Sequence, residues 1–132
     1  MSTIEKKIIL LVDDNEFHLS LAETILEDEY KIIKARSGKE AIEYFLKGIV
    51  VGDIPNLILL DILMPEMDGW ETYHKLRGIS ILQDIPIAFL TSVSGVDEEK
   101  QAYEIGVADF ITKPYLKDDL LKRVETIIKK AK

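Results

Sequence analysis

The chain has no cysteine, so neither a disulfide framework nor thiolate chemistry is open to it. Positive charge is scarce. Seventeen lysines and arginines stand against 24 aspartates and glutamates, for a formal net charge of −7. Phosphate contacts need a basic face, so direct nucleic-acid binding and docking on an anionic membrane are both disfavoured. Long apolar runs are missing too. Ile8–Val12, behind Lys6 and Lys7, is too short for a signal peptide or a membrane span. No low-complexity tract, repeat or linker interrupts the 132 residues, and no Gly-x-x-x-x-Gly-Lys loop offers a nucleotide cradle. What remains is a soluble, cytoplasmic reading: one domain, core about 7–130, 47% hydrophobic and 31% charged.

The most informative stretch present is Leu57–Gly69, Leu-Ile-Leu-Leu-Asp-Ile-Leu-Met-Pro-Glu-Met-Asp-Gly. Its four leading apolar residues predict a strand buried on both faces, with Asp61 at its carboxyl end and a turn at Met67-Asp68-Gly69. Ile8–Val12 is a second such run, ending at Asp13-Asp14-Asn15, where Asp14 or Asn15 can cap the next helix. Phe17, Leu21 and Ile25 then form an i, i+4, i+8 stripe expected to face the sheet, with Leu19 and Leu26 beside it. A strand over Tyr30–Ala35 follows, then a helix from Ser37-Gly38 with Ala41, Ile42, Phe45 and Leu46 on one side.

Gly48–Pro55 is either a helix extension or an elaborated loop, longer than the usual helix-to-strand connection. Beyond the Leu57 strand, a helix from Gly69 to about Leu76 carries Trp70 and Tyr73 as packing residues. A strand over 86–90 ends at Thr91-Ser92. An acid-rich helix over Asp97–Ile105 is stopped by Gly106. A short strand over 109–111 ends at Thr112-Lys113-Pro114. The closing helix has Leu116, Leu120, Val124, Ile127 and Ile128 as its stripe. His18 and His74 read as surface side chains. Five strand–helix alternations predict an α/β fold with a parallel sheet, right-handed crossovers and helices on both faces.

Such a topology gathers the strand carboxyl ends at one edge, where ligands bind. Asp13, Asp14, Asp61, the Thr91-Ser92 hydroxyls and Lys113 all fall there. Three carboxylates close together repel, and a divalent cation removes that penalty; oxygen-only ligands suit Mg²⁺ or Mn²⁺ better than zinc. An aspartate beside such a cation can act as a nucleophile toward phosphorus, with the lysine and a hydroxyl holding phosphoryl oxygens.

Leu-Leu-Asp-x-x-Met-Pro-x-Met-Asp-Gly, with the Asp pair, Thr91 and Lys113-Pro114 at the other strand ends, resembles the response-regulator receiver domains of two-component signalling. The resemblance covers nearly the whole chain. It implies a flavodoxin-like, doubly wound five-stranded sheet of order 2-1-3-4-5 with five helices. It makes Asp61 the phosphoacceptor, and Asp13 and Asp14 the Mg²⁺-serving pair, with the backbone carbonyl of Leu63 as a further ligand. Thr91 becomes the switch hydroxyl, Lys113 the phosphate-contacting lysine and Phe110 the switch aromatic, where many relatives have tyrosine. A cis peptide at Lys113-Pro114 is often found in the family.

The implied function is a phosphorylation-dependent switch, not a turnover enzyme. A histidine kinase or histidine phosphotransfer protein donates the phosphoryl group, and a downstream protein binds at the last two helices and last strand. Leu63 and Val93, each two residues beyond a site residue, cannot orient a water by hydrogen bonding, so slow self-dephosphorylation is expected. Rivals are the receiver portion of a longer regulator, a Mg²⁺-dependent aspartyl-nucleophile phosphohydrolase, a pseudo-receiver and a flavin binder. The phosphohydrolase wants an acid where Leu63 stands. The pseudo-receiver wants an acid or the lysine lost. The flavin binder wants a phosphate-cradling loop where Asp13-Asp14 stand.

Overall fold

A computed structural model describes residues 5–47 and 54–131. The elaboration expected within Gly48–Pro55 therefore lies, over 48–53, outside the described residues. The strands are β1 (Lys7–Val12), β2 (Tyr30–Ala35), β3 (Leu57–Leu60), β4 (Ile87–Thr91) and β5 (Phe110–Thr112). The helices are α1 (Glu16–Leu26), α2 (Gly38–Leu46), α3 (Gly69–Arg77), α4 (Val96–Ile105) and α5 (Lys117–Lys130), with a 3-10 turn at Ser80–Leu82. All strand pairs are parallel, in the order β2-β1-β3-β4-β5. The expected fold class and strand order both hold.

Burial explains why the central strands read as unbroken apolar runs. Every residue of β3 and of β4 is buried, because helices cover both sheet faces. Leu10, Val12, Ile58, Leu60 and Phe89 pack on one side with residues of α2, α3 and α4. Ile9, Leu11, Leu57, Leu59 and Leu90 pack on the other with α1 and α5.

The structure corrects three expected helix faces. In α1 the buried residues are Leu19, Ala22 and Leu26, whereas Phe17 is 71% and Leu21 42% exposed. Asn15, not Asp14, caps this helix, its side chain accepting from the His18 amide at 3.0 Å. Two interleaved apolar stripes satisfy the same spacing. The neighbouring sheet selects the one containing the small Ala22, which permits close approach. In α2 Ala41 and Phe45 are buried but Leu46 is exposed. Leu116 is the residue before α5 and 78% exposed, so the stripe starts at Leu120. The limits of β4, α4 and β5 differ from expectation by one residue. Gly106 does end α4, in the left-handed region at φ 106° that glycine adopts without penalty.

Gly69 is required by close approach. An added Cβ would lie 2.4 Å from the Asp61 carbonyl oxygen and 2.6 Å from Ile62 Cα, both immovable backbone. The same glycine's amide donates to the Ile62 carbonyl at 2.8 Å. Gly69→Ala is therefore expected to push the α3 start off the end of β3. The expected cost is about 3 kcal/mol of stability, the scale of overpacking a rigid site. Urea unfolding checks this; a loss below about 1 kcal/mol would count against it.

Candidate active site at the carboxyl edge of the sheet

Each site residue is delivered by the element before it. Asp13 and Asp14 follow β1, Asp61 follows β3, Thr91 ends β4, and Lys113 follows β5. Parallel pairing aligns these ends: Val12 is in register with Leu60, and Thr91 with Thr112. The Asp61 amide donates to the Val12 carbonyl at 2.9 Å and the Lys113 amide to the Thr91 carbonyl at 2.8 Å. The Lys113-Pro114 peptide is cis.

Asp13, Asp61 and Thr91 are buried, whereas Asp14 is exposed at the rim. One carboxylate oxygen from each of the three aspartates lies within 4.8 Å of the others. Lys113 Nζ donates to Asp13 Oδ2 at 2.5 Å and stands 3.8 Å from Asp61 Oδ2. Asp13 Oδ1 accepts from the Asn15 amide at 2.9 Å. Asp13 is thus satisfied on both oxygens. Asp61 is not: its Oδ1 is buried without any hydrogen-bond partner. An orphaned buried carboxylate oxygen is costly, and it sits beside two further acids. The donor set, all oxygen with one acid open to solvent, fits a hydrated Mg²⁺.

Burial pushes the Asp61 carboxyl above its ordinary range. Lys113 opposes this, the charge on Asp13 reinforces it, and the Thr91 hydroxyl and Ile62 amide oppose it more weakly. The Tyr115 hydroxyl is pushed up to about 12, by burial first and then by the negative charge of Asp13.

All the expected polar site residues converge. The Thr91 hydroxyl is fully buried and accepts from the Val93 amide at 3.1 Å. Phe110 is buried and meets Phe89 edge-on at 6.2 Å, and Phe89 in turn meets Trp70 at 5.1 Å. The Leu63 side chain is exposed. His18, expected as a surface side chain, is about a third exposed and also has partners within the site. Its Nδ1 lies 3.0 Å from Lys113 Nζ and 3.8 Å from Asp13 Oδ2. The available signal was its place one helical turn beyond Asn15, close enough to reach back to the sheet edge.

The chain is a doubly wound α/β fold whose three acids, hydroxyl and lysine meet at one edge of the sheet. Residues 9–125 match the response regulator receiver domain family, and the chain belongs to that family. It is 34% identical over 126 residues to a Vibrio cholerae protein named "Probable cyclic di-GMP phosphodiesterase", a match covering 96% of this chain and 27% of that protein. It is 33% identical over 128 residues to "Probable transcriptional regulator ycf27" of Porphyridium aerugineum, covering 96% and 50%.

Among solved structures, the chemotaxis protein CheY4 of Vibrio cholerae superposes with TM-score 0.82 at 25% identity, covering 92% of this chain and 98% of that one. The signal receiver domain of a histidine kinase from Syntrophus aciditrophicus gives TM-score 0.81 at 33% identity, covering 96% and 92%. The chain spans between about a quarter and about half of the first curated relatives it matches. Membership of this family places the domain in phosphorylation-dependent two-component signalling. Among the described residues, no helix is long and apolar enough to cross a membrane.

Proposed function

We propose that Asp61 accepts a phosphoryl group from a histidine kinase or histidine phosphotransfer protein. The observation that carries this is the buried Asp61 carboxylate, which has an unpartnered Oδ1 and stands with Asp13, Asp14 and Lys113 at one edge of the sheet. A carboxylate oxygen of Asp61 forms the new bond to phosphorus as the bond to the donor's nitrogen breaks. The departing imidazole keeps that electron pair. Asp13, Asp14, Asp61 and the Leu63 carbonyl would hold Mg²⁺, or Mn²⁺, which supplies positive charge to the transferring oxygens. Lys113 neutralises one of those oxygens, and the Thr91 hydroxyl holds another.

Loss of the resting Asp61 charge pattern then biases a two-state equilibrium. Thr91 moves toward the phosphoryl group, the loop after it follows, and Phe110 leaves its seat against Phe89. The surface made by α4, β5 and α5 changes, and a downstream protein reads it. α4 suits such a shift, since Ala102 is its one buried residue. The domain acts on its own acyl phosphate and does not turn over an external substrate. We read residues 1–132 as one receiver domain with its core over about 7–130, a reading supported by the family match over residues 9–125. The share of the relatives that it matches, 27% and 50%, favours a second reading in which it serves as the receiver portion of a longer regulator.

Intact-protein mass spectrometry after incubation with acetyl phosphate tests the reading. One phosphoryl group should be gained by the wild type with Mg²⁺, and none without Mg²⁺ or in Asp61→Asn. Absence of gain in folded, Mg²⁺-bound wild type would defeat it.

The acyl phosphate is expected to be long-lived. Leu63 and Val93 offer only apolar side chains where an attacking water would need orienting. A lifetime of minutes or more is expected for the purified phosphoprotein; decay within seconds would contradict it.

A further inference from the structure

We infer that His18 is a positioning residue for Lys113, a role that rests on the phosphoacceptor reading above. The lysine ammonium has donors only, and His18 Nδ1 lies 3.0 Å from it, in place to accept one of them. Lys113 therefore has two acceptors: the Asp13 carboxylate at 2.5 Å and the His18 ring. Its distance to Asp61 Oδ2, 3.8 Å, is too long for a hydrogen bond. Two of three N–H groups are committed, and one is left for an oxygen on Asp61.

The second acceptor is not an acid, and that matters. A second carboxylate would quench the ammonium's charge, whereas an imidazole orients it and leaves that charge available to a phosphoryl oxygen. Were Asp13 to hold a cation, Lys113 would lose its nearest acceptor, and His18 would be the partner that keeps it in the cleft. The ring is itself well placed. The His18 amide is fixed by the Asn15 cap, and about a third of the side chain is exposed, so it has little part in the core. A role as a further metal ligand fits less well, because the set of acids whose oxygens converge within 4.8 Å excludes His18.

The test uses the full chain and phosphoramidate, a donor too small to need a docking surface. At saturating Mg²⁺, His18→Leu should lower the maximal phosphorylation rate about tenfold, with the half-saturating Mg²⁺ concentration changed less than twofold. His18→Asn, whose side-chain oxygen falls near the place of Nδ1, should recover most of that rate. Both variants should melt within a few degrees of the wild type. The Lys113 ammonium should give a slowly exchanging nitrogen-15 NMR signal in the wild type and in His18→Asn, lost in His18→Leu. A wild-type rate in His18→Leu, or a His18→Asn variant as slow as His18→Leu, would overturn the inference. Absence of any Mg²⁺-dependent phosphoryl gain in the wild type would instead overturn the phosphoacceptor reading, and this inference with it.

Discussion

Asp61→Asn is expected to stabilise the metal-free protein while removing its capacity to take a phosphoryl group. Function and stability are opposed at this residue. Asp61 is 6% exposed, has an unpartnered oxygen, and shares its edge with Asp13 and Asp14. Burial, reinforced by Asp13, raises its carboxyl above the ordinary range despite Lys113. The folded protein therefore binds this proton at higher pH than the unfolded chain does, so stability falls as pH rises through the folded value. Below the ordinary carboxylate range, near 4, both states are protonated and the penalty vanishes.

Asparagine keeps the shape and carries no charge at any pH. The stability difference between variant and wild type should thus be small near pH 4, grow as pH rises, and level off at neutral pH at about 1–2 kcal/mol. For a domain of this size that is roughly 3–8 °C in melting temperature. Thermal unfolding in EDTA across pH 4–8 measures it, and Mg²⁺ should narrow the gap by stabilising the wild type more. An asparagine variant less stable than wild type at pH 8 without Mg²⁺ would refute the account.

Lys113→Met should have the opposite effect. Among the described residues, Lys113 is the one lysine or arginine within 4.0 Å of Asp13 or Asp61. Its side chain is 9% exposed, matching the 9% and 7% of its partners. Removing one member of a buried pair leaves the other uncompensated, at a cost of about 3–5 kcal/mol. Methionine preserves most of the packing volume, so the loss is electrostatic rather than a cavity. Mg²⁺ should then restore much of the stability and bind on the order of tenfold more tightly, because the ammonium no longer competes for Asp13. Phosphorylation by acetyl phosphate should be strongly reduced even at saturating Mg²⁺. In the double variant with Asp61→Asn the two effects should not add: Lys113→Met should cost less there than in the wild type, since one carboxylate that needed the ammonium is gone. Urea unfolding of the four proteins of this cycle, with and without Mg²⁺, provides the check. Wild-type stability of Lys113→Met in EDTA would contradict it.

The sequence by itself determined the alternation of elements, the two central strands and the identity of the acids, threonine and lysine at their ends. It could do so because a strand buried on both faces must be apolar throughout, which makes the polar residue that ends it conspicuous. The same logic placed Asn15 among the caps and Gly106 at a helix end. Tertiary structure decided the rest. Phe17, Leu21 and Ile25 keep helical spacing as well as Leu19, Ala22 and Leu26 do, and only docking on the sheet chose the second set. Gly69 was legible as a turn. That its missing Cβ lets α3 begin against the Asp61 backbone is a contact between elements, invisible to periodicity. His18 was missed for the same reason: its partner Lys113 lies 95 residues away, and the contact exists only because β1 and β5 end at the same edge. Periodicity reports which residues share a face of one element. Which faces and side chains meet is settled by packing across elements, and that is where this site acquires its geometry and charge balance.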